Sequence, residues 1–165
     1  MARRAAVVVD LDLGFNAILE EIERAGRKQV LIGIQEGAKT QAQSKNGRTQ
    51  EAGVTIAQYA AYNEFGTDQI PERSFMRSTF DEKIDDIESL VIDQLGLVVD
   101  RAISVDAAYN RIGLMVAGMV QQKIRQIRTP PNSPITIARK GSSKPLIDFG
   151  QMIAAVRHVV KKEKS

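Results

Sequence analysis

The chain has no cysteine, no tryptophan and a single histidine among its 165 residues. Without cysteine it can form no disulfide, no thiolate metal centre and no cysteine nucleophile. With His158 as the one imidazole, a zinc site of the usual His and Cys composition cannot be assembled. Aromatic residues make up only 5%, so the core must be built from Ile, Val, Leu, Met and Ala. No apolar run approaches the roughly 20 residues that span a bilayer. The run Ala5 to Val9 is cut short by Asp10 and Asp12, which argues against a signal peptide and for a protein made and kept in the cytoplasm. A strong charge bias is missing too: 23 basic residues face 20 acidic ones, for a net charge of +3. A dedicated duplex binder concentrates its positive charge more heavily.

What is present suits one domain over residues 1–165, because 43% hydrophobic content can bury a core. Ala5 to Val9 is β-branched and reads as a short strand or an extended arm over about residues 1–10. Phe15, Ile18, Leu19, Ile22 and Ala25 recur at helical spacing, with Asp12 placed to cap the start and Gly26 to end the helix in a left-handed conformation. Lys28 to Ile34 alternates as a strand, with Val30, Ile32 and Ile34 on one face. From Gln35 to Gly53 no aliphatic residue exceeds alanine, and the stretch carries Lys39, Lys45 and Arg48. It reads either as a polar excursion ordered against a partner or as an exposed hairpin tip.

Val54 to Phe65 is predicted to form a short helix with Ile56, Tyr59, Ala60 and Asn63 on one face, ended by Gly66. Pro71 then keeps Ile70 extended. A long helix comes next, from Ser74 or Arg77 to Ala102, with a stripe of Phe80, Ile84, Ile87, Val91, Leu95, Val98 and Ala102. Asp81, Glu82, Asp85 and Asp86 in its early turns suit the positive end of the helix dipole. Ser104 reads as a new cap, and a second helix runs to about Ile127 with Ala108, Ile112, Met115, Met119 and Ile127 on one side. Such a pair is either antiparallel or one bent helix, and Gly113 and Gly118 are candidates for close helix approach. Thr129 to Pro134 is an extended connector, Ile135 to Ala138 a short strand, Arg139 to Pro145 a basic flexible turn, Met152 to Val160 a closing strand and Lys161 to Ser165 a tail. The fold class expected is α+β, with a small mixed or antiparallel sheet packed against two long helices and one or two shorter ones.

Chemistry-bearing constellations are sparse. His158, mid-strand, reads as a surface or pairing residue. The carboxylates Asp81, Glu82, Asp85 and Asp86 lack the glycine-punctuated loop of a calcium site and read as a solvated helix face. Gly141-Ser142-Ser143-Lys144 lacks the second glycine that a phosphate-cradling loop requires. The expectation is a protein that is not an enzyme and holds no cofactor or metal.

Two segments are more distinctive. One is Ala60-Ala61-Tyr62-Asn63-Glu64-Phe65-Gly66-Thr67 with Ile70-Pro71-Glu72-Arg73-Ser74-Phe75-Met76-Arg77. The other runs from Thr136 through Lys144-Pro145-Leu146-Ile147-Asp148-Phe149-Gly150-Gln151-Met152. In order and spacing they resemble the tail-completion or neck family of long-tailed bacteriophages, over about residues 55–155. That family shows an NEFGT stretch, then IPxRPFxR before a long helix, then KPLIDTGxL. Ser74, Phe149 and Met152 depart from its usual proline, threonine and leucine.

The resemblance implies a structural virion protein at the head–tail junction, assembled in the host cytoplasm into a ring of six identical subunits. Its partners would be head-closure or stopper, tail-terminator and tail-tube proteins, and genomic DNA would pass through the lumen without sequence-specific contact. A tail-terminator or head-side adaptor ring is the alternative within this class, and a small basic non-specific DNA-binding protein is the alternative outside it. Glu64, Phe65, Arg73, Phe75, Arg77 and Asp148 are the candidate subunit-interface residues, with an arginine pairing Glu64 or Asp148 and Phe75 with Met76 forming a wedge. Lys39, Lys45 and Arg48 are the candidates to face the lumen.

Overall fold

Ser104 makes the break that organises the molecule. Its hydroxyl accepts from the Ala107 amide at 3.3 Å, capping a new helix where the preceding one has just ended. Arg101 sits in the left-handed region at φ 59° within that turn. The chain therefore doubles back, and the long helices lie antiparallel: Lys123, near the end of the second, pairs with Glu82, near the start of the first, at 2.5 Å.

The computed structural model describes residues 14–34, 43–45, 48–50 and 55–162. In chain order these form α1 (Phe15–Gly26), β1 (Lys28–Ile34), β2 (Gln43–Lys45), β3 (Arg48–Gln50), α2 (Ile56–Phe65), α3 (Met76–Val99), α4 (Val105–Gln126), α5 (Pro134–Lys140), α6 (Gln151–Ala155) and β4 (Val156–Lys162). This is the α+β class expected, with a two-stranded antiparallel sheet packed against the pair of long helices, but with four shorter helices rather than one or two. Strands β1 and β4 pair antiparallel, with Val30 opposite Val160, Ile32 opposite His158 and Ile34 opposite Val156. They bring the two ends of the described chain together on α4, whose buried face is Val105, Ala108, Ile112, Gly113, Val116, Ala117, Val120 and Ile124. The main core joins Val120 and Ile124 of α4 to Ile56, Phe75, Leu146, Met152 and Val156. Burying each such aliphatic side chain contributes about 1.5–3 kcal/mol.

Several expectations change on folding. Asp12, the arm at Ala5 to Val9 and the tail from residue 163 lie outside the described residues; the observed N-cap of α1 is Gly14 at φ +103°. Gly26 is the last helical residue rather than a left-handed cap, and Arg27 comes after it at φ −100° with its amide tightened onto Arg24 and Ala25 carbonyls. Within the polar stretch, β2 and β3 form an antiparallel hairpin that sets Lys45 opposite Arg48; Lys39 lies outside the described residues.

In α3 the expected stripe fails at Ile84, which is 47% exposed next to Lys83, where the chain leaves helical geometry (φ −117°, ψ 15°); Phe80, Ile87 and Val91 of the stripe pack together on either side of that distortion. Leu90 takes the buried place. In α4 Met115 is 50% exposed, since the face turned to α3 and the sheet centres on Ile112, Val116 and Val120. Ile135 to Ala138 is not a strand: Ser133 caps through the Thr136 amide at 3.2 Å, Pro134 occupies the first turn and Gly141 ends α5 at φ 63°. The segment read as a basic turn is closed by the buried Lys140, whose Nζ donates to the Lys144 and Pro145 carbonyls at 3.0 and 3.1 Å. The closing strand begins only at Val156, because Gly150 at φ 78° starts the short helix α6.

Gly113 permits a close approach, but to the sheet rather than to a helix. A Cβ there would lie 2.5–2.8 Å from Cδ2, Cγ and Cβ of His158, whose Nε2 meets Asn110 Oδ1 at 3.2 Å. Gly118 has open space around it. Gly113→Ala is therefore expected to lower stability by about 1–2 kcal/mol despite alanine's better helix propensity, because overpacking outweighs it. Adding His158→Ala, which removes the ring but keeps the Cβ at 2.8 Å, should return part of that loss in urea denaturation; no recovery in the double variant would show that the ring is not the obstruction.

Candidate functional site

The segment from Asn63 to Arg77 folds around one carboxylate. Gly66, at φ 74°, turns the chain so sharply that a Cβ there would lie 3.0 Å from the Glu72 amide. Thr67 N donates to Ile70 O and Arg73 N to Asn63 O, each at 2.7 Å, which returns the chain alongside α2. Glu64 in the last turn of α2 thereby lies under the start of α3. Its Oε2 accepts from the amides of Phe75 at 2.7 Å and Met76 at 2.8 Å. Its Oε1 accepts from the Arg77 amide at 3.0 Å and the Ser74 hydroxyl at 2.8 Å. These amides are the unpaired donors of the α3 N-terminus, so a buried anion from another helix does the capping that α3 lacks locally. Burial pushes the Glu64 carboxyl up, but the amides of Arg77, Met76 and Phe75 and the Ser74 hydroxyl outweigh it and hold it below the ordinary glutamate range.

Arg77 closes the outer side. Its Nε reaches Glu64 Oε1 at 3.2 Å, its Nη2 the Glu64 carbonyl at 2.8 Å and Glu72 at 2.7 Å, and its guanidinium lies 5.0 Å from the Phe65 ring centroid.

Arg73 closes the inner side. Only 5% exposed, it donates from Nε to Pro130 O at 2.6 Å and from Nη2 to Pro131 O at 2.9 Å, pinning the connector after α4 to the approach of α3. Two further contacts are long: Nη1 to Asn63 Oδ1 at 3.4 Å and Nη2 to Asn132 Oδ1 at 3.5 Å. Among the described residues no carboxylate lies within ion-pair distance of it. Burial lowers its pKa, with neighbouring Tyr59 opposing; arginine nonetheless stays charged.

Beside Arg73 opens a cavity of about 620 Å³. Ile56, Ile70, Leu146, Phe149 and Met152 supply apolar wall, while Tyr59, Asn63, Asn132, Arg139 and Asp148 supply polar groups. Burial raises the Tyr59 pKa, so its phenol is neutral here. The cavity joins the two distinctive sequence segments, which lie far apart in the chain, at one place.

Of the candidate interface residues, Glu64 and Phe75 are interior at 5% and 2% exposure, and Arg73 lines both the cavity and a second, more open depression beside Glu72 and Arg128. Phe75 packs in the main core with Met76 against it. Phe65, at 66% exposure, and Arg77 present open surface. Asp148 lies at the cavity rim, and it is Arg77 rather than an Asp148 partner that pairs with Glu64. Sequence reasoning placed Asn63 and Lys140 in the two motifs without giving them a role, and it missed Asn132 as a member of this region. Ser133 followed by Pro134, a cap and a first-turn proline, was the local signal that could have put a helix start next to Asn132. Among the described residues no group of three or more His, Asp or Glu side chains is placed to hold a metal ion, and no helix is long and apolar enough to cross a membrane. No known protein family, curated protein or solved structure matches the chain.

Proposed function

We propose that this chain is a structural subunit of a ring at the head–tail junction of a long-tailed bacteriophage, on the tail-completion or neck side. The observation that carries the reading is convergence: Asn63 and Arg73 from one motif and Leu146 to Met152 from the other line a single cavity. Beside it, Glu64 and Phe75 hold the start of α3 and Arg73 ties it to the connector after α4. Subunit association has surface to draw on. Phe15, Leu19 and Ile22 form an exposed stripe on α1, and Ile92 of α3 and Leu114 of α4 stand exposed elsewhere.

The protein is expected in purified virions, and a deletion in the phage or prophage that encodes it should leave heads and tails unjoined. Electron micrographs of the purified chain with its tails should show it as a ring at the tail end. A chain absent from virions, or a deletion that still yields joined particles, overturns the proposal. Tight, salt-dependent duplex binding by the isolated subunit would favour the DNA-binding alternative instead.

A further inference from the structure

The arginine-lined cavity has the chemistry of a receptor, and the chain carries a segment that complements it. We infer that the cavity receives residues 9–13 of a second copy of this chain, with the carboxylate of Asp10 or Asp12 on the Arg73 guanidinium. The inference deepens the ring reading and rests on it for the presence of a second copy.

The cavity side of the argument is electrostatic. Two short bonds to backbone carbonyls hold Arg73 in place, but its contacts to Asn63 and Asn132, at 3.4 and 3.5 Å, are at the limit of hydrogen bonding. Both asparagines line the cavity, so the weakly engaged edge of the guanidinium faces it. A buried cation held only by neutral oxygens gains most from a carboxylate, which matches its planar fork. Arg139 lines the same space and adds a second guanidinium to that of Arg73, so the site favours an anion. Its apolar wall of Ile56, Leu146 and Met152 favours an anion carried on an aliphatic chain over a bare hydrated one.

The occupant side is sequence and reach. Val9-Asp10-Leu11-Asp12-Leu13 alternates aliphatic and acidic residues, and in an extended chain alternate side chains face opposite ways. One edge would bring carboxylates to Arg73 and Arg139, the other aliphatic groups to the apolar wall. The segment cannot do this within its own subunit. Gly14 lies beside the Arg101 side chain at the α3–α4 turn, whereas Arg73 lies before the start of α3 and Pro131 beyond the end of α4. The 22 residues of α4 separate those ends by about 33 Å at 1.5 Å per residue. Asp10 precedes Gly14 by four positions, a reach of about 14 Å at most. Donor and acceptor therefore belong to different copies, at opposite ends of the subunit, and such a heterologous contact closes into a ring when its rotation permits.

The test uses the full chain and a labelled peptide of residues 1–13, monitored by fluorescence anisotropy. Saturable binding is expected. It should weaken at least about tenfold when both aspartates in the peptide are asparagine, as for loss of a charge-assisted bond. It should weaken similarly when the protein carries Arg139→Glu, an exposed change verified by circular dichroism to leave the fold intact. Equal binding by the asparagine peptide overturns the inference. So does competition by hexanoate at the peptide's own concentration, which would mark a site for small acids. In sedimentation, the full chain with Asp10→Asn and Asp12→Asn should lose self-association. A wild type that never assembles yet binds the peptide would sink the ring reading and leave the cavity–segment recognition standing. Rings that persist in the double variant, with no peptide binding, would do the reverse.

Discussion

Arg73→Ala is expected to destabilise the protein by about 3–5 kcal/mol, the magnitude for breaking a buried hydrogen-bonded charge network and leaving its acceptors unpaired. The melting temperature should fall by about 6–20 °C for a chain of this size. The reason lies in what the guanidinium joins. Through Pro130 O at 2.6 Å and Pro131 O at 2.9 Å it ties the connector after α4 to the approach of α3, and through Asn63 it touches the last turns of α2. Truncation leaves those carbonyls without donors and opens space next to an existing cavity. Arg73→Lys should recover less than half of the loss, because an ammonium cannot fork to several carbonyls at once. Thermal and urea denaturation check both variants. A loss under about 1 kcal/mol in the alanine variant would mean that the connector is held by something else.

Glu64→Gln should cost about 2–4 kcal/mol near neutral pH, since hydrogen bonds to an ionised group contribute about 1.5–3 kcal/mol and the amide nitrogen would face donors it cannot pair with. The pH dependence carries the sharper signature. Glu64 has its folded-state pKa below its unfolded one. Its stabilisation is fully present above the unfolded value of about 4.3 and is lost as pH falls through the lower folded value. The gap in unfolding free energy between wild type and Glu64→Gln should therefore be constant from neutral pH down to about 5 and narrow below it. A gap that does not change between neutral pH and strongly acidic solution would show that the ionised carboxylate is not what caps α3.

The elements whose bounds were legible are those specified by neighbours in the chain. Lys28 to Ile34 alternates and is a strand; Ser104 and Gly66 punctuate where residues with their conformational and capping preferences are expected to. Helix α5, expected as a strand, shows the same principle from the other side. Ser133, Pro134 and Gly141 are local helix signals, and they outweighed the β-branched pair Ile135 and Ile137. The stripes on α3 and α4 were legible as helical but not in every member, because periodicity names a face while burial at Ile84 or Met115 depends on what packs at that level.

Around the start of α3 the sequence marked residues that the fold gathers, but not what each of them touches. Glu64, Arg73, Phe75 and Arg77 are close in the chain, and a pairing of an arginine with Glu64 is within reach of that spacing. That Glu64 would cap α3, and that Arg73 would turn inward to Pro130 and Pro131, depends on partners as much as 58 positions away. What the sequence by itself determined is composition-level and local: an aliphatic core, strands and helices placed by alternation, capping and glycine, and no assembly of thiols or imidazoles. What only the tertiary structure decided is which side chain answers which unpaired donor or acceptor. A hydrogen-bond or ion-pair partner is selected by where packing brings the backbone, and no periodicity along the chain encodes that meeting.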